Sequence, residues 1–139
     1  MKKIKKLLIF IMDKIKSSIE NDGFIYCIIN DTKTCKIGKT EMKESYDITL
    51  QKLLNRYSTY YPDCKIFKFI RVSNCHEAEL YLFEILKKLH YKKEHYYFDE
   101  PLINDAFNEI ELKYPDINII IKKLDIKTLN QLNRNLRQN

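Results

Sequence analysis

Residues 23–40 read GFIYCIINDTKTCKIGKT, and this stretch decides the fold. Phe24 to Ile29 is rich in β-branched and aromatic side chains, which favour a β-strand. The polar, turn-favouring residues 30–33 follow, and Thr34 to Ile37 then supplies a second short strand. The stretch therefore predicts a β-hairpin.

Both glycines of the chain lie at this hairpin, Gly23 before its first strand and Gly38 after its second. Glycine is required where the backbone takes a positive φ or where another group approaches the backbone closely. A helix stop at Gly23 and a bulge or strand end at Gly38 would explain both residues without any ligand. These explanations stay open from the sequence alone.

Amphipathic helical patterns lie on both sides of the hairpin. Residues 2–19 carry apolar side chains at helical spacing with lysines between them, and Asn21-Asp22 marks a stop. An apolar stripe from Leu50 to Tyr57 predicts a second helix that begins near Asp47 and ends before Pro62. We expect the lysine-rich first helix to pack on the domain that follows it; lying on a membrane surface is the alternative.

The second half of the chain adds one strand and three helical patterns. Lys65 to Val72 alternates in the manner of a strand, and Asn74 is placed to cap the helix that comes next. Residues 102–114 and 117–136 continue at helical spacing, although Asp125 could interrupt the last helix. The order of helix, hairpin, helix, strand, helix and helical tail predicts a small α+β fold.

Charge and composition narrow the class of protein. The chain has 25 Lys and Arg residues against 19 Asp and Glu residues, a net charge of +6. A moderately basic domain suits a polyanion, because neutralised phosphates release counterions; lysine that merely keeps the protein in solution is the alternative. The longest apolar run, Leu7 to Met12, is too short to cross a bilayer, and no small-residue cleavage site follows it. We therefore expect an intracellular protein without a membrane partner.

The four cysteines lack the paired short spacing of a zinc site. In an intracellular protein we expect them to be reduced and to pack as small hydrophobic residues. They are Cys27, Cys35, Cys64 and Cys75.

Four short motifs follow one another along the chain in a meaningful order. They are Gly23-Phe24-Ile25-Tyr26, Lys36-Ile37-Gly38-Lys39-Thr40, Arg56-Tyr57 and Ala78-Glu79. This ordered set resembles the GIY-YIG nuclease superfamily, and most closely its subgroup from phages and large DNA viruses, whose members are described as DNA-binding domains. The resemblance covers roughly Gly23 to Asp99.

The resemblance implies a fold and a division of the chain. The implied fold is a small mixed sheet that begins with the hairpin and is flanked by helices. Residues 23–100 would form the GIY-YIG-like domain, preceded by a basic amphipathic helix at 1–22 and followed by a helical extension at 101–139. Residues 94–98 loosely resemble the Glu-aromatic-Phe ending of the subgroup.

The resemblance also implies roles for individual residues. Tyr26 corresponds to the tyrosine of the first motif, and Lys39 to the basic residue after the glycine of the second. Arg56 would bind phosphate from a helix, and Glu79 would be the single carboxylate that holds Mg²⁺ or Mn²⁺. Lys36 stands where the second motif usually has a tyrosine.

Elementary chemistry sets conditions on these roles. A guanidinium such as that of Arg56 can grip two phosphate oxygens as a planar fork. Tyr26 can act as a base only if Lys39 or a metal lowers its pKa from about 10. Lys36 would serve as a base if desolvated and as a phosphate contact if exposed. Tyr26 and Lys36 share a sheet face only if the paired residue numbers of the hairpin sum to an even value.

Aromatic residues offer a further candidate surface. Two tyrosine-rich patches, at 57–61 and 91–97, could stack bases or line a groove, although packing in a small core without tryptophan is the commoner role. Among the histidines, His90 or His95 could join the same cleft.

The leading functional hypothesis is a DNA-binding protein that contacts the phosphate backbone and hydrolyses phosphodiester bonds with a divalent cation. Two alternatives stay open: a DNA-binding module of the same fold without turnover, and a protein-interaction domain. In the latter case a homodimer would form through the N-terminal helix or the C-terminal tail.

Overall fold

The computed structural model of the chain describes residues 2–31 and 33–138. Within these residues it has five α-helices and five β-strands. In chain order they are α1 (Lys2–Glu20), β1 (Gly23–Ile29), β2 (Thr34–Glu41), α2 (Tyr46–Ser58), β3 (Lys65–Val72), α3 (Cys75–Ile85), β4 (His90–Lys92), β5 (His95–Tyr97), α4 (Glu100–Lys113) and α5 (Ile117–Gln138).

The strands form one sheet in the order β3-β1-β2-β5-β4. Strands β1 and β2 form the predicted hairpin, and β1 pairs with β3 on its other side. The predicted α+β class is confirmed. Every strand pairing among the described residues is antiparallel, so the sheet is an antiparallel one where the resemblance implied a mixed one.

Strand β1 is apolar on both faces because helices cover both faces of the sheet. Phe24, Tyr26 and Ile28 pack in a cluster with α2. The alternate residues Ile25 and Cys27 pack in the larger cluster with α3 and α4. The two faces of the sheet therefore carry separate halves of the core.

Helix caps fix where the helices of the domain begin. The Ser45 side chain accepts a hydrogen bond from the Ile48 amide at the start of α2. The predicted cap of α3 is confirmed, since the Asn74 side chain accepts from the Glu77 amide at 3.3 Å while its own backbone takes a left-handed φ of 48°. These caps set the turns on which the candidate residues of α2 and α3 lie.

Helix α4 belongs to the main core. Its inward face is fully or almost fully buried in the larger core cluster, and the helix packs on α3 and β3. The buried side chains of this face are Ile103, Ala106, Phe107 and Ile110. The first part of the segment 101–139 is therefore integral to the core of the domain.

Three features differ from the sequence-based expectation. The short hairpin of β4 and β5 was not predicted, and it extends the sheet beyond β2. Helix α5 runs without interruption through Asp125. The principal packing partner of α1 is α5, whereas we expected α1 to pack on the domain that follows it.

Several exposed apolar side chains lie on α1, among them Leu8 and Phe10. In the described part of the chain, no helix combines the length and the apolar character that a bilayer crossing requires. All four cysteines are free, and three of them are buried as expected, with Cys64 half-buried.

Candidate functional site

Tyr26 lies directly across the hairpin from Gly38. The pairing also sets Ile28 opposite Lys36, so the paired numbers sum to an even value and Tyr26 shares a sheet face with Lys36. A Cβ atom added at Gly38 would lie 2.6 Å from the Tyr26 hydroxyl oxygen and 2.7 Å from its Cζ. Neither glycine has a positive φ, so close approach explains Gly38. The ring of Tyr26 crosses over Gly38 and carries its hydroxyl across β2.

Gly23 likewise permits a close contact with the start of α3. A Cβ atom there would lie 2.6 Å from the Thr40 carbonyl oxygen and 2.7 Å from the Cys75 Sγ. The Cys75 amide also donates to the Asn21 carbonyl at 2.8 Å. The first turn of α3 is therefore fixed against the hairpin, and Glu79 follows Cys75 by one helical turn.

The outer edge of β2 is only partly covered by β5. The register pairs Lys36 with His95, and the Ile37 amide donates to the Glu94 carbonyl at 3.1 Å. From Gly38 onward, no described strand pairs with this side of β2. The Tyr26 hydroxyl lies against Gly38 in this stretch of β2, and the residue as a whole is almost fully buried, with 2% of its surface exposed.

Charges on α2, on α3 and in the turn between β4 and β5 act on the Tyr26 hydroxyl. Burial raises the pKa of Tyr26 to about 12; the Arg56 guanidinium opposes this rise, and the carboxylates of Glu94 and Glu79 add to it. Arg56 and Glu79, predicted from the sequence to act together, thus lie close enough to act on the same phenol. Because its pKa is raised, Tyr26 keeps its proton at neutral pH and can donate a hydrogen bond.

Glu79 is a half-buried carboxylate on α3. Burial raises its pKa, the Lys39 ammonium opposes the rise and the Glu94 carboxylate adds to it. Among the described residues Glu79 has no hydrogen-bond partner and no ion-pair partner within 4.0 Å. A partly desolvated carboxylate without a direct partner fits a divalent cation, whose hard oxygen ligands it could join.

The described residues contain no group of three or more His, Cys, Asp or Glu side chains that could hold a metal ion. A cation at Glu79 would therefore take its other ligands from phosphate oxygens and water. Mg²⁺ accepts such a shell, because it keeps much of its hydration when it binds one or two carboxylates and a substrate phosphate. The residues present fit the single-carboxylate site that the resemblance implies.

Lys39 lies on the opposite sheet face from Tyr26. It pairs with Ile25, and its charge acts on Glu79 and Cys75 on the α3 side. The condition for Tyr26 to act as a base is therefore not met within the chain, because Lys39 does not lower the tyrosine pKa. Lys39 is instead a neighbour of the candidate cation ligand.

Lys36 lies between an acid and an aromatic ring. Its Nζ is 3.4 Å from a carboxylate oxygen of Glu94 and 5.0 Å from the centroid of the Tyr57 ring. Its side chain is 22% exposed, so it is neither fully desolvated nor free in solvent. Such a lysine can exchange its carboxylate partner for a phosphate without losing the contact with the ring.

Arg56 is exposed on α2 at the border of two depressions. One, of about 280 Å³, lies between α2 and the end of β2 and includes Thr40 and Lys52. The other, of about 330 Å³, has a lining of aromatic and cationic side chains. Its lining residues are Lys36, Arg56, Tyr57, Tyr60, Tyr61 and His95.

The sequence-predicted residues fall into two groups around one sheet edge. Tyr26, Lys36 and Arg56 belong to the α2 side, and Lys39 and Glu79 belong to the α3 side. His95 joins the cleft, as one of the two histidines considered, whereas His90 does not line it. Sequence reasoning missed the role of Glu94. The signal was the acidic residue at the start of the aromatic run 94–98.

No family model matches the chain, and comparisons with curated proteins and with solved structures find no significant match. The function is therefore inferred from the residues and the geometry above.

Proposed function

We propose that the protein binds DNA through its phosphate backbone at the open edge of β2 and hydrolyses phosphodiester bonds there with Mg²⁺ or Mn²⁺, as a nuclease with a GIY-YIG-like site. The observation that carries this proposal is the position of the Tyr26 hydroxyl. It lies over Gly38, and the charges of both Arg56 and Glu79 act on it.

Phosphate binding is assigned to the cations around this hydroxyl. Arg56 is exposed and has no carboxylate partner within 4.0 Å among the described residues, and its guanidinium interacts with the Tyr26 hydroxyl, so its remaining N–H groups could bind phosphate oxygens. Lys36 adds a second cation on the same side, and Lys39 adds a third beside Glu79. These charges favour a polyanion, in line with the net charge of +6.

Glu79 would hold the divalent cation. When bound, that cation would lower the pKa of a coordinated water and stabilise negative charge on the phosphate. Arg56 would orient the phosphate and neutralise charge that develops on its oxygens. Tyr26, protonated because of its raised pKa, would donate a hydrogen bond to the phosphate or to the attacking water and fix its position.

A DNA-binding module without turnover is the second candidate. One observation favours it: Lys36 stands where the family motif usually has its second tyrosine, and it is paired with Glu94 at 3.4 Å. The site therefore has one phenol rather than two, and an arrangement of cations that suits phosphate binding by itself. The two candidates share the binding surface and differ only in whether the bond is broken.

A nicking assay separates them. Supercoiled plasmid is incubated with the wild type, Glu79→Gln or Arg56→Ala in Mg²⁺ or Mn²⁺, and the open-circular product is quantified. Cleavage predicts a loss of roughly 100-fold or more in rate for each variant, the range seen when a group that stabilises transition-state charge is removed. Matched controls are Glu84→Gln, an exposed acid of the same helix α3, and Arg134→Ala, an exposed arginine of α5.

The controls should nick at the wild-type rate. Equal nicking by all five proteins would identify a contaminating nuclease and contradict the cleavage proposal. DNA binding by the wild type without metal-dependent nicking would select the second candidate. The absence of binding would contradict both.

A further inference from the structure

One cleft beside the proposed phosphate site is built from aromatic and cationic side chains. Its lining includes Tyr57, Tyr60, Tyr61 and His95, with Lys36 and Arg56 at the same surface, and no carboxylate belongs to the part of the lining that the structure describes. The volume of about 330 Å³ is at the small end of the range of roughly 300–1,000 Å³ for small-ligand sites. The cleft therefore suits one flat ring system rather than a helix or a duplex.

The rings are arranged so that some faces are covered and others are open. Tyr57 is 7% exposed and stacks on Tyr61 with ring centroids 5.8 Å apart and an interplanar angle of 18°. Tyr61 in turn has its centroid 6.2 Å from that of His95. Tyr60, by contrast, is 77% exposed, although a tyrosine ring gains free energy when its face is covered. Tyr60 thus offers an open stacking face at the mouth of the cleft.

His95 adds a hydrogen-bonding side chain beside these rings. The Asn30 Nδ2 lies 3.2 Å from the His95 Nδ1, so the Asn30 side chain fixes the orientation of the ring. Burial lowers the pKa of His95, and the ammonium groups of Lys36 and Lys92 lower it further. The lowered pKa favours the neutral ring, whose Nε2 can form a hydrogen bond with the polar edge of a nucleobase.

We propose that this cleft holds an unpaired base of the DNA strand whose phosphate Arg56 binds. The inference rests on the proposed function, because Arg56 lines both the base cleft and the depression at the end of β2. Bases within a duplex have both faces covered by their neighbours, so only an unpaired base can stack on protein rings. The preferred substrate is then single-stranded DNA, or a junction, flap or bulge with an unpaired nucleotide next to the bound phosphate.

The test measures affinity for a labelled single-stranded oligonucleotide and for the matching duplex by fluorescence anisotropy, in EDTA so that no cleavage occurs. The wild type should bind the single strand at least tenfold more tightly. Tyr60→Ala should weaken single-strand binding by roughly 5- to 150-fold, the equivalent of about 1–3 kcal/mol per stacked base. Its affinity for duplex should change by less than twofold.

The matched control is Tyr91→Ala, which removes another exposed tyrosine, on β4 and outside the cleft. It should leave both affinities unchanged. A second readout is a 2-aminopurine base placed in the single strand, whose fluorescence the wild type should quench by stacking and Tyr60→Ala should not. Circular dichroism melting checks that both variants fold, as expected for two exposed positions.

Equal affinity of the wild type for both DNA forms would overturn the inference, as would equal effects of Tyr60→Ala and Tyr91→Ala. Arg56→Ala distinguishes this failure from a failure of the proposed function. If Arg56→Ala weakens binding of both DNA forms while Tyr60→Ala has no effect, phosphate binding by Arg56 is supported and the base cleft is rejected. If neither variant has an effect, both the phosphate-binding proposal and the base-cleft proposal are rejected.

Discussion

The ring of Tyr26 lies against Gly38 of the neighbouring strand so closely that no side chain fits at position 38. A Cβ atom there would come within 2.6 Å of the tyrosine hydroxyl oxygen. Glycine is thus required by the tyrosine rather than by the backbone, since the φ of Gly38 is not positive. The position of the Tyr26 hydroxyl therefore depends on the absence of a side chain at position 38.

Gly38→Ala should lower the free energy of unfolding by about 1–3 kcal/mol, the usual cost of adding a methyl group to a packed site. It should also displace the Tyr26 hydroxyl and reduce nicking to the level of Tyr26→Phe or below. Urea unfolding and the plasmid assay measure the two effects. Tyr26→Phe serves as the control, because it keeps the ring over Gly38 and removes only the hydroxyl.

The double variant Gly38→Ala with Tyr26→Ala tests the cause. If the clash with the ring is responsible, adding Gly38→Ala to Tyr26→Ala should cost much less than adding it to the wild type. Additive losses would contradict the proposed dependence of Gly38 on Tyr26.

Alkaline pH should unfold the protein partly through Tyr26. Its pKa is about 12 in the folded protein, against about 10 in the unfolded chain, so the folded state holds the proton more tightly between these values. This contribution to stability is present in full below pH 10 and is lost as the pH rises from 10 to 12. The loss is on the order of 2–3 kcal/mol for a shift of this size.

Tyr26→Phe should show a shallower decline of unfolding free energy across the same pH range, measured by urea titrations at fixed pH. Tyr96, whose pKa burial also raises to about 12, should contribute a similar decline that persists in this variant. Identical pH profiles for the wild type and Tyr26→Phe would contradict the assignment.

Glu79→Gln should stabilise the protein at neutral pH while it abolishes metal-dependent nicking. Burial raises the pKa of Glu79, so the folded state disfavours the charged form, and stability falls as the pH rises through the unfolded pKa toward the folded one. Removing the charge should therefore raise the melting temperature, measured by circular dichroism at pH 7.

Divalent cations give an independent readout of the same residue. Millimolar Mn²⁺ should raise the melting temperature of the wild type, because a ligand that binds only the folded state stabilises it. Glu79→Gln should show no such rise, and Glu84→Gln should behave as the wild type. A cation-induced rise that persists in Glu79→Gln would remove Glu79 as the ligand.

The affinity for DNA should fall steeply with salt concentration, and Arg56 should account for about one unit of the slope of log affinity against log salt concentration. The slope of log affinity against log salt falls by about 0.7–0.9 for each phosphate contact that is removed. Arg56→Ala should therefore show a smaller slope than Arg134→Ala, measured by anisotropy over a series of NaCl concentrations. Equal slopes for the two variants would mean that Arg56 contacts no phosphate.

Local patterns predicted most of the fold. The hairpin was visible because its two strands and turn have distinct compositions, and the cap at Asn74 because its chemistry is confined to four consecutive residues. Strands β4 and β5 have three residues each, too few for alternation to be recognised, and they are held by pairing with β2. That pairing depends on the tertiary structure rather than on the local sequence.

The candidate site, like the fold, was predicted from the sequence only in part. From the sequence we could state only the condition under which Tyr26 and Lys36 share a sheet face, namely that paired residue numbers sum to an even value. The hairpin in the structure meets this condition. The sequence did not reveal that Lys39 lies on the other face from Tyr26, because the assignment of faces depends on the residue at which pairing begins. Nor did it reveal the pairing of Lys36 with Glu94, which requires β5 to lie beside β2.

Helix α4 has a consequence for how short a folded version of this chain can be. Phe107 and Ile110 are completely enclosed by the layer that also supports β1 and α3, and the Ser73 amide donates to the Pro115 carbonyl at 3.0 Å just beyond that helix. Truncating the chain near position 100, after the last motif, would remove α4. The apolar side chains that α4 covers would then be exposed to solvent, and the remaining chain would tend to aggregate. The minimal autonomous unit therefore extends past position 115, well beyond the last residue of the recognisable motifs.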